Sequence, residues 1–303
     1  MQEYPSGEQW VITDGGQQAT VVEVGGGLRD YRAGAVEVLA GYPAEEQCRS
    51  GRGQVLMPWP NRIRDGRYSF DGQDFQLPLT EPVRGHANHG LARWAPWVLV
   101  ERTESEVTVG HRLHPQPGWP GTLDLTATYT LSDSGLSVLV TATNIGDARV
   151  PFGCGAHPYI AIGDAPLAEV VLTIPAKEQV LVDDRLIPTG LAPAADGGRD
   201  FRHPRALGEV TLDTAYTGVE RGPDGRWAAV VSVPGRPDVE VWGDEAFEWL
   251  QVFTGQAEPA GEGIRGIAVE PMTCPADAFN SGSGLVVLEP GQQWSGQWGL
   301  AVR

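Results

Sequence analysis

The feature that most restricts the fold of this 303-residue chain is a period of two in its apolar residues. From Leu123 to Leu131, the residues Leu123, Leu125, Ala127, Tyr129 and Leu131 alternate with Asp124, Thr126, Thr128 and Thr130. After Ser132-Asp133-Ser134-Gly135, the alternation resumes at Leu136, Val138, Val140 and Ala142. Successive side chains of a strand point to opposite faces, so this pattern predicts a half-buried antiparallel hairpin. A second hairpin is predicted where Asp71-Gly72, a pair suited to a tight primed turn, separates Tyr68-Ser69-Phe70 from Gln73 to Leu77. Further strands are expected at 20–24, 36–39, 97–101, 106–112, 169–174, 179–182, 229–233, 238–242, 249–253, 267–270, 285–288 and 296–301, most of them bounded by Gly, Pro, Asn or Asp. The 40 Gly and 24 Pro resist helix interiors, at roughly 1 and 3 kcal/mol each relative to Ala, which excludes a bundle or a coiled coil. Short turns of helix are expected near 275–280, and 188–204, rich in Gly, Ala, Asp and Pro, reads as a long surface loop. The expectation is an all-β chain, a large antiparallel β-sandwich with few short helices, forming a single domain over residues 1–303.

The chain carries a formal net charge of −17. A surface that negative repels nucleic acid and anionic lipid, so neither is expected as a partner. Cys48, Cys154 and Cys274 are too scattered for a C-x-x-C motif and read as reduced thiols. The opening MQEYPSGEQW has no basic and no apolar leader segment, and no run of 18 apolar residues occurs, so a cytoplasmic protein without a membrane span is expected. Neither a phosphate-binding G-x-x-x-x-G-K-[ST] loop nor a G-x-S-x-G elbow is present.

Two histidines lie in Gly-rich loops: His89 in Arg84-Gly85-His86-Ala87-Asn88-His89-Gly90, and His157 in Gly153-Cys154-Gly155-Ala156-His157-Pro158-Tyr159. Glycine lets backbone approach a ligand closely. Glu270 closes the apolar run Ile267-Ala268-Val269 before Pro271, which places a carboxylate at a sheet rim; Asp213 stands in Leu212-Asp213-Thr214. Arg62, in Asn61-Arg62-Ile63, has a guanidinium able to donate several hydrogen bonds to ligand oxygens or to form an ion pair. His86, His89, His157 and Glu270 are also a conceivable metal set, but the H-x-x-H spacing is common by chance, and no metal is expected.

At these residues the sequence resembles the aldose 1-epimerase (galactose mutarotase-like) family. The resemblance rests on ordered segments: Asn61-Arg62-Ile63 with the hairpin after it, His89-Gly90 before Trp94, Gly118-Trp119-Pro120-Gly121 before Tyr129, Gly155-Ala156-His157-Pro158-Tyr159, Asp213-x-x-Tyr216, and Glu270-Pro271 with Pro275 to Asn280. Two departures bear on the preferred sugar: Leu91 follows His89-Gly90 where the family often has a second Gly, and Ala156 precedes His157 where it often has Asn.

The resemblance implies a galactose mutarotase-like supersandwich that interconverts the α and β anomers of a free hexose by acid/base ring opening and closure. It implies Glu270 as base at the C1 hydroxyl, His157 as acid at the ring oxygen with His89 assisting, and Asn61, Arg62 and Asp213 on sugar hydroxyls. Trp59, Trp94 and Trp242 are candidates to stack on a pyranose, Trp242 being counted among the substrate-binding residues. A Glu near pKa 4.3 is ionised at neutral pH, and a His near 6.5 is poised to exchange a proton. No cofactor is needed, and a monomer or homodimer is expected. The alternatives are a mutarotase for an anionic hexose, phosphorylated or sulfonated and held by Arg64, Arg84 or Arg93, a non-catalytic carbohydrate-binding protein on the same fold, and a glycoside hydrolase using Asp213 with Glu270.

Overall fold

The computed structural model describes residues 4–255 and 264–303. The Leu123–Ser132 and Gly135–Asn144 strands pair antiparallel with Leu131 opposite Leu136. The alternation delivers its apolar set inward: Leu123, Leu125, Ala127 and Tyr129 are all buried, while Asp124, Thr126, Thr128 and Thr130 keep part of their surface. This hairpin lies within a nine-stranded antiparallel sheet. Glu106–Leu113 flanks one side of it, and Gln293–Val302 and Val239–Gly243 continue the other.

The second large sheet has eight strands. Its middle is the antiparallel series Asp213–Val219, Trp249–Phe253 and Gly266–Met272, with Ala176–Val182 beyond on one side and Gly155–Ala156 on the other. Leu250, Val252, Ile267 and Val269 enter the main core, which also takes side chains from the nine-stranded sheet. The intervening residues point to the opposite face. There Val180, Ala215, Trp249 and Met272 form a small apolar cluster of their own. A four-stranded sheet from Gln9–Asp14 to Val36–Glu37 adds Trp10, Ile12, Val21 and Tyr31 to the main core.

The second predicted hairpin is present as Arg67–Phe70 paired with Gln73–Gln76, with Asp71 and Gly72 both at positive φ, as a primed turn requires. One expectation is corrected. The presumed loop at 188–204 begins with a strand, Pro188–Pro193, at the edge of the eight-stranded sheet. An edge strand tolerates proline because its outer N–H groups have no ladder to complete. The helical turn expected near 275–280 is Ala278–Ser281. Among the described residues, no helix is long and apolar enough to cross a membrane.

Candidate active site

The outer face of the eight-stranded sheet carries the polar row. In the register of its central strands, Ala215, Gln251 and Glu270 lie side by side, and directly opposed residues share a face. Gln251 Nε2 donates to Asp213 Oδ1 at 2.6 Å, and Gln251 Oε1 accepts from Asn61 Nδ2 at 3.4 Å. Asn61 has φ 55° and His89 φ 62°, both left-handed, a conformation that non-glycine residues rarely adopt and that clusters at functional sites. The Asn61 N–H donates to His89 Nδ1 at 3.2 Å. A backbone N–H can only donate, so Nδ1 holds a lone pair and a neutral His89 carries its proton on Nε2.

The loop that presents His89 depends on one glycine. Leu91 and Ala92 both donate their N–H to the Met57 carbonyl, and a Cβ on Gly90 would stand 2.1 Å from that oxygen. The next position is filled by Leu91. Behind the Asn61 turn, Phe279 packs edge-on against Trp59 (5.6 Å between centroids) and Tyr68 (5.1 Å), with Trp119 at 6.5 Å. The same helical turn ties down Arg62: the Asp277 N–H donates to the Arg62 carbonyl, and Asp277 Oδ1 accepts the Arg64 N–H.

His157 follows the short strand Gly155–Ala156, which pairs with the strand bearing Glu270. Its Nε2 lies 3.5 Å from Glu270 Oε1, with both side chains almost wholly buried. The ring stacks on Tyr159 at 5.1 Å and meets His89 edge-on at 5.3 Å. Among the described residues, Glu270 Oε2 and His157 Nδ1 have no hydrogen-bond partner. A buried acceptor left unpaired costs about 1–3 kcal/mol, which a substrate hydroxyl would recover.

Burial also changes the acid–base character expected from ordinary pKa values. It pushes Glu270 well above the usual carboxylate range, with the Asp213 charge adding to the rise and Arg62 opposing it. Burial and then Arg93 push His157 down to about 3, and burial, His157 and the Arg93 and Arg62 charges hold His89 well below its ordinary value. Burial therefore favours a protonated Glu270 beside two neutral imidazoles.

Two cavities meet at Asp213. One is a cleft of about 870 Å³ whose walls include Tyr159, Asp213, Arg84 and Arg199. The other is a recess of about 20 Å³ between Asn61, Arg62, Gln251 and the apolar side chains of Val180 and Ala215. Tyr159, which lines the cleft, stacks on His157, and Gln251, which lines the recess, lies opposite Glu270.

The structure thus brings together Asn61, Arg62, His89, His157, Asp213 and Glu270. It does not bring Trp242. That ring lies on the outer face of the nine-stranded sheet, against Gly299 and beneath the Arg226 guanidinium at 3.9 Å, and lines a different cavity with Ser134 and Glu240. The reason lies in its strand: Val239 and Val241 take the core positions, so Glu240 and Trp242 point out. Trp59 is a core residue, and Trp94 remains half-exposed beside Arg93. His86 is buried with its Nδ1 accepting the Asp65 N–H and its Nε2 bound to the Arg185 carbonyl, so it has no lone pair to offer a metal. Sequence reasoning overlooked Gln251, although a lone amide between Leu250 and Val252 in an apolar strand was a signal.

The aldose 1-epimerase family model matches residues 8–300. The chain belongs to the aldose 1-epimerase family. Its members are isomerases, and this chain is an epimerase of that kind. It is 32% identical over 289 residues to the uncharacterized protein YihR of Escherichia coli strain K12, covering 95% of this chain and 91% of that one. It is 27% identical to the maltose epimerase of Levilactobacillus brevis, over 79% of this chain and 76% of the relative. Among solved structures, a galactose mutarotase-like protein from Clostridium acetobutylicum superposes with a TM-score of 0.84 at 17% identity, covering 97% of this chain and 94% of that one, a likeness of fold.

Proposed function

We propose that the protein is a mutarotase for a free hexose and that Glu270, His157 and His89 carry the proton transfers. The observation that supports this most is the buried Glu270–His157 contact at 3.5 Å, beside a carboxylate oxygen that has no hydrogen-bond partner among the described residues. Mutarotation removes a proton from the C1 hydroxyl and adds one to the ring oxygen. The C1–O5 bond breaks to give the aldehyde, the C1–C2 bond rotates, and closure on the other face reverses both transfers. Glu270 as carboxylate takes the C1 proton while protonated His157 supplies the ring oxygen, which leaves a carboxylic acid and a neutral imidazole. Those are the protonation states that burial favours, so the pair carries one proton between its two ends at constant net charge. The neutral His89, with its proton on Nε2, donates a hydrogen bond to the ring oxygen as negative charge develops there. Asp213, Asn61 and Arg62 bind hydroxyls, and Gln251 holds Asp213 in place. Only protons move, so side chains suffice. The core shared by the large sheets supports reading residues 1–303 as one catalytic domain.

A specific observation favours an anionic hexose as the substrate class. Of the three arginines considered for it, Arg64 pairs with Asp277 and Arg84 with Glu81. Arg93 has no hydrogen-bond acceptor for its guanidinium among the described residues, lies over the Trp94 ring at 5.5 Å, and bears electrostatically on both His89 and His157. The net charge of −17 does not prevent this, because screening limits the outer field to about 8 Å at physiological salt.

Time-resolved polarimetry on fresh pure anomers of neutral hexoses, a hexose phosphate and a hexose sulfonate tests both points. Accelerated decay of rotation is expected for at least one sugar, and inhibition of neutral-sugar turnover by the anionic ones identifies the class. No acceleration with any sugar contradicts the reading.

A further inference from the structure

We infer that Glu81 is a positioning residue of this site, a carboxylate clamp that aims the Arg62 guanidinium at the sugar and balances its charge. The inference rests on the mutarotase reading and adds a residue to it. Glu81 takes Arg62 in a forked ion pair, Nε to Oε2 at 2.8 Å and Nη2 to Oε1 at 3.1 Å, with both side chains largely buried. Arg62 Nη1 donates to Asn61 Oδ1 at 3.1 Å. Three of the five guanidinium N–H groups are thereby fixed, and the other two, one on each terminal nitrogen, remain for a ligand. Arg62 lines the small recess beside Asp213 and Gln251, so those two donors stand at the polar row.

The clamp is itself held. The Glu81 N–H donates to the His86 carbonyl, and the Glu81 carbonyl accepts the N–H groups of Arg84, Gly85 and His86, closing a turn. That turn leads into Ala87–Asn88, the strand that pairs with Arg62–Ile63. Arg84 adds a second cation on Glu81 Oε1 at 2.9 Å. Burial would push the Glu81 carboxyl up, but the bonds from Arg62 and Arg84 hold it below the ordinary range, so it remains ionised at neutral pH.

The charge has a second consequence. Arg62 lowers Glu270, against burial and the charge of Asp213, and disfavours the protonated form of His89. The charged or titratable groups around Glu270 are Asp213, Arg62, His157 and Tyr159. Removing the Glu81 charge leaves Arg62 uncompensated, which favours the Glu270 carboxylate and moves its ionisation to lower pH.

The test compares Glu81→Gln and Glu81→Asp with wild type, measuring KM, kcat, the alkaline limb of kcat/KM and sugar Kd by calorimetry, with thermal melts as the check on folding. For Glu81→Gln, a rise of at least tenfold in KM and Kd and an alkaline limb displaced to lower pH are expected. Glu81→Asp keeps the charge but shortens the reach. Its limb should stay at the wild-type pH while KM remains raised. Folded Glu81→Gln with wild-type KM and an unmoved limb overturns the inference, as does a loss confined to thermal stability. If Glu81→Gln does not fold, Glu81→Asp decides: a raised KM supports the clamp, and an unchanged KM overturns it. A wild type that binds sugar without turning it over sinks the mutarotase reading instead, and the Kd comparison still decides the role of Glu81.

Discussion

Replacing His89 separates its structural hydrogen bond from its chemical one. Its Nδ1 accepts the Asn61 N–H at 3.2 Å, and Asn61 is buried at 5% exposure. In His89→Asn, the amide oxygen falls near the position of Nδ1 and can keep that bond, but no group replaces Nε2–H. In His89→Ala, the Asn61 N–H loses its acceptor as well. Orphaning a buried donor costs about 1–3 kcal/mol. The Ala variant should therefore be about 1–3 kcal/mol less stable than the Asn variant, read from urea midpoints at a common slope. Both variants lose the donor at the ring oxygen. A positioned acid–base group contributes about 10²- to 10⁴-fold in rate, so both should fall in kcat by about that factor, to the same extent. Polarimetry at saturating sugar gives the rates. Equal stability of the two variants would refute the Asn61–His89 bond as the anchor. Turnover by His89→Asn within a few-fold of wild type would refute the donor role of Nε2.

Three further outcomes follow from the same contacts. The reacting form carries one proton on the pair, Glu270 as carboxylate and His157 protonated, so activity falls as rising pH removes that proton: the alkaline limb of kcat/KM should lie above the ordinary carboxylate range near 4.3, because burial and then Asp213 raise Glu270; a limb at the ordinary value contradicts this. His157, held down to about 3, sets the acid limb, where the pair takes a second proton, and adds no limb near neutrality. In stability, the two groups act in opposite directions. Folded Glu270 keeps a proton that the unfolded chain releases, so its contribution declines as pH rises from the ordinary carboxylate pKa to the raised one. Folded His157 refuses a proton that the unfolded chain accepts near 6.5, so its contribution declines as pH falls from there to about 3. Urea midpoints of wild type and Glu270→Gln across pH 4 to 8 check the first sign. Phe279→Ala should cost about 3–5 kcal/mol, since it empties the space between Trp59, Tyr68 and Trp119, and should raise KM by loosening Asp277 against Arg62; a cost under about 1 kcal/mol would show that the aromatic cluster does not support the turn.

The strands were legible wherever burial on one face imposed a period of two. The hairpin from Leu123 to Asn144 shows this, with every predicted inward residue buried. The strand Pro188–Pro193 was hidden because its prolines and glycine read as loop and only its position at a sheet edge makes them acceptable. Site residues were legible when a backbone requirement accompanied them, as at His89-Gly90, where the Met57 carbonyl leaves no room for a Cβ. Trp242 was misplaced although its own strand held the answer, since the alternation of Val239 and Val241 with Glu240 and Trp242 turns the ring outward. Gln251 and Glu81 gain their meaning only from partners far along the chain: Asn61 and Asp213 for Gln251, Arg62 for Glu81. The pKa displacements were likewise beyond the sequence, because burial of the Glu270–His157 pair arises from packing and not from neighbours in the chain.

The central claim is that Glu270 and the imidazoles beside it pass a proton across the sugar ring. Glu270→Gln preserves shape and removes the ionisable group, so it tests that claim most directly in time-resolved polarimetry on a fresh α-anomer of a sugar that wild type turns over. The account predicts a folded protein, by circular dichroism and a cooperative melt, whose catalysed rate falls by about 10²- to 10⁴-fold or more. A folded Glu270→Gln variant that decays the rotation at the wild-type rate would contradict it.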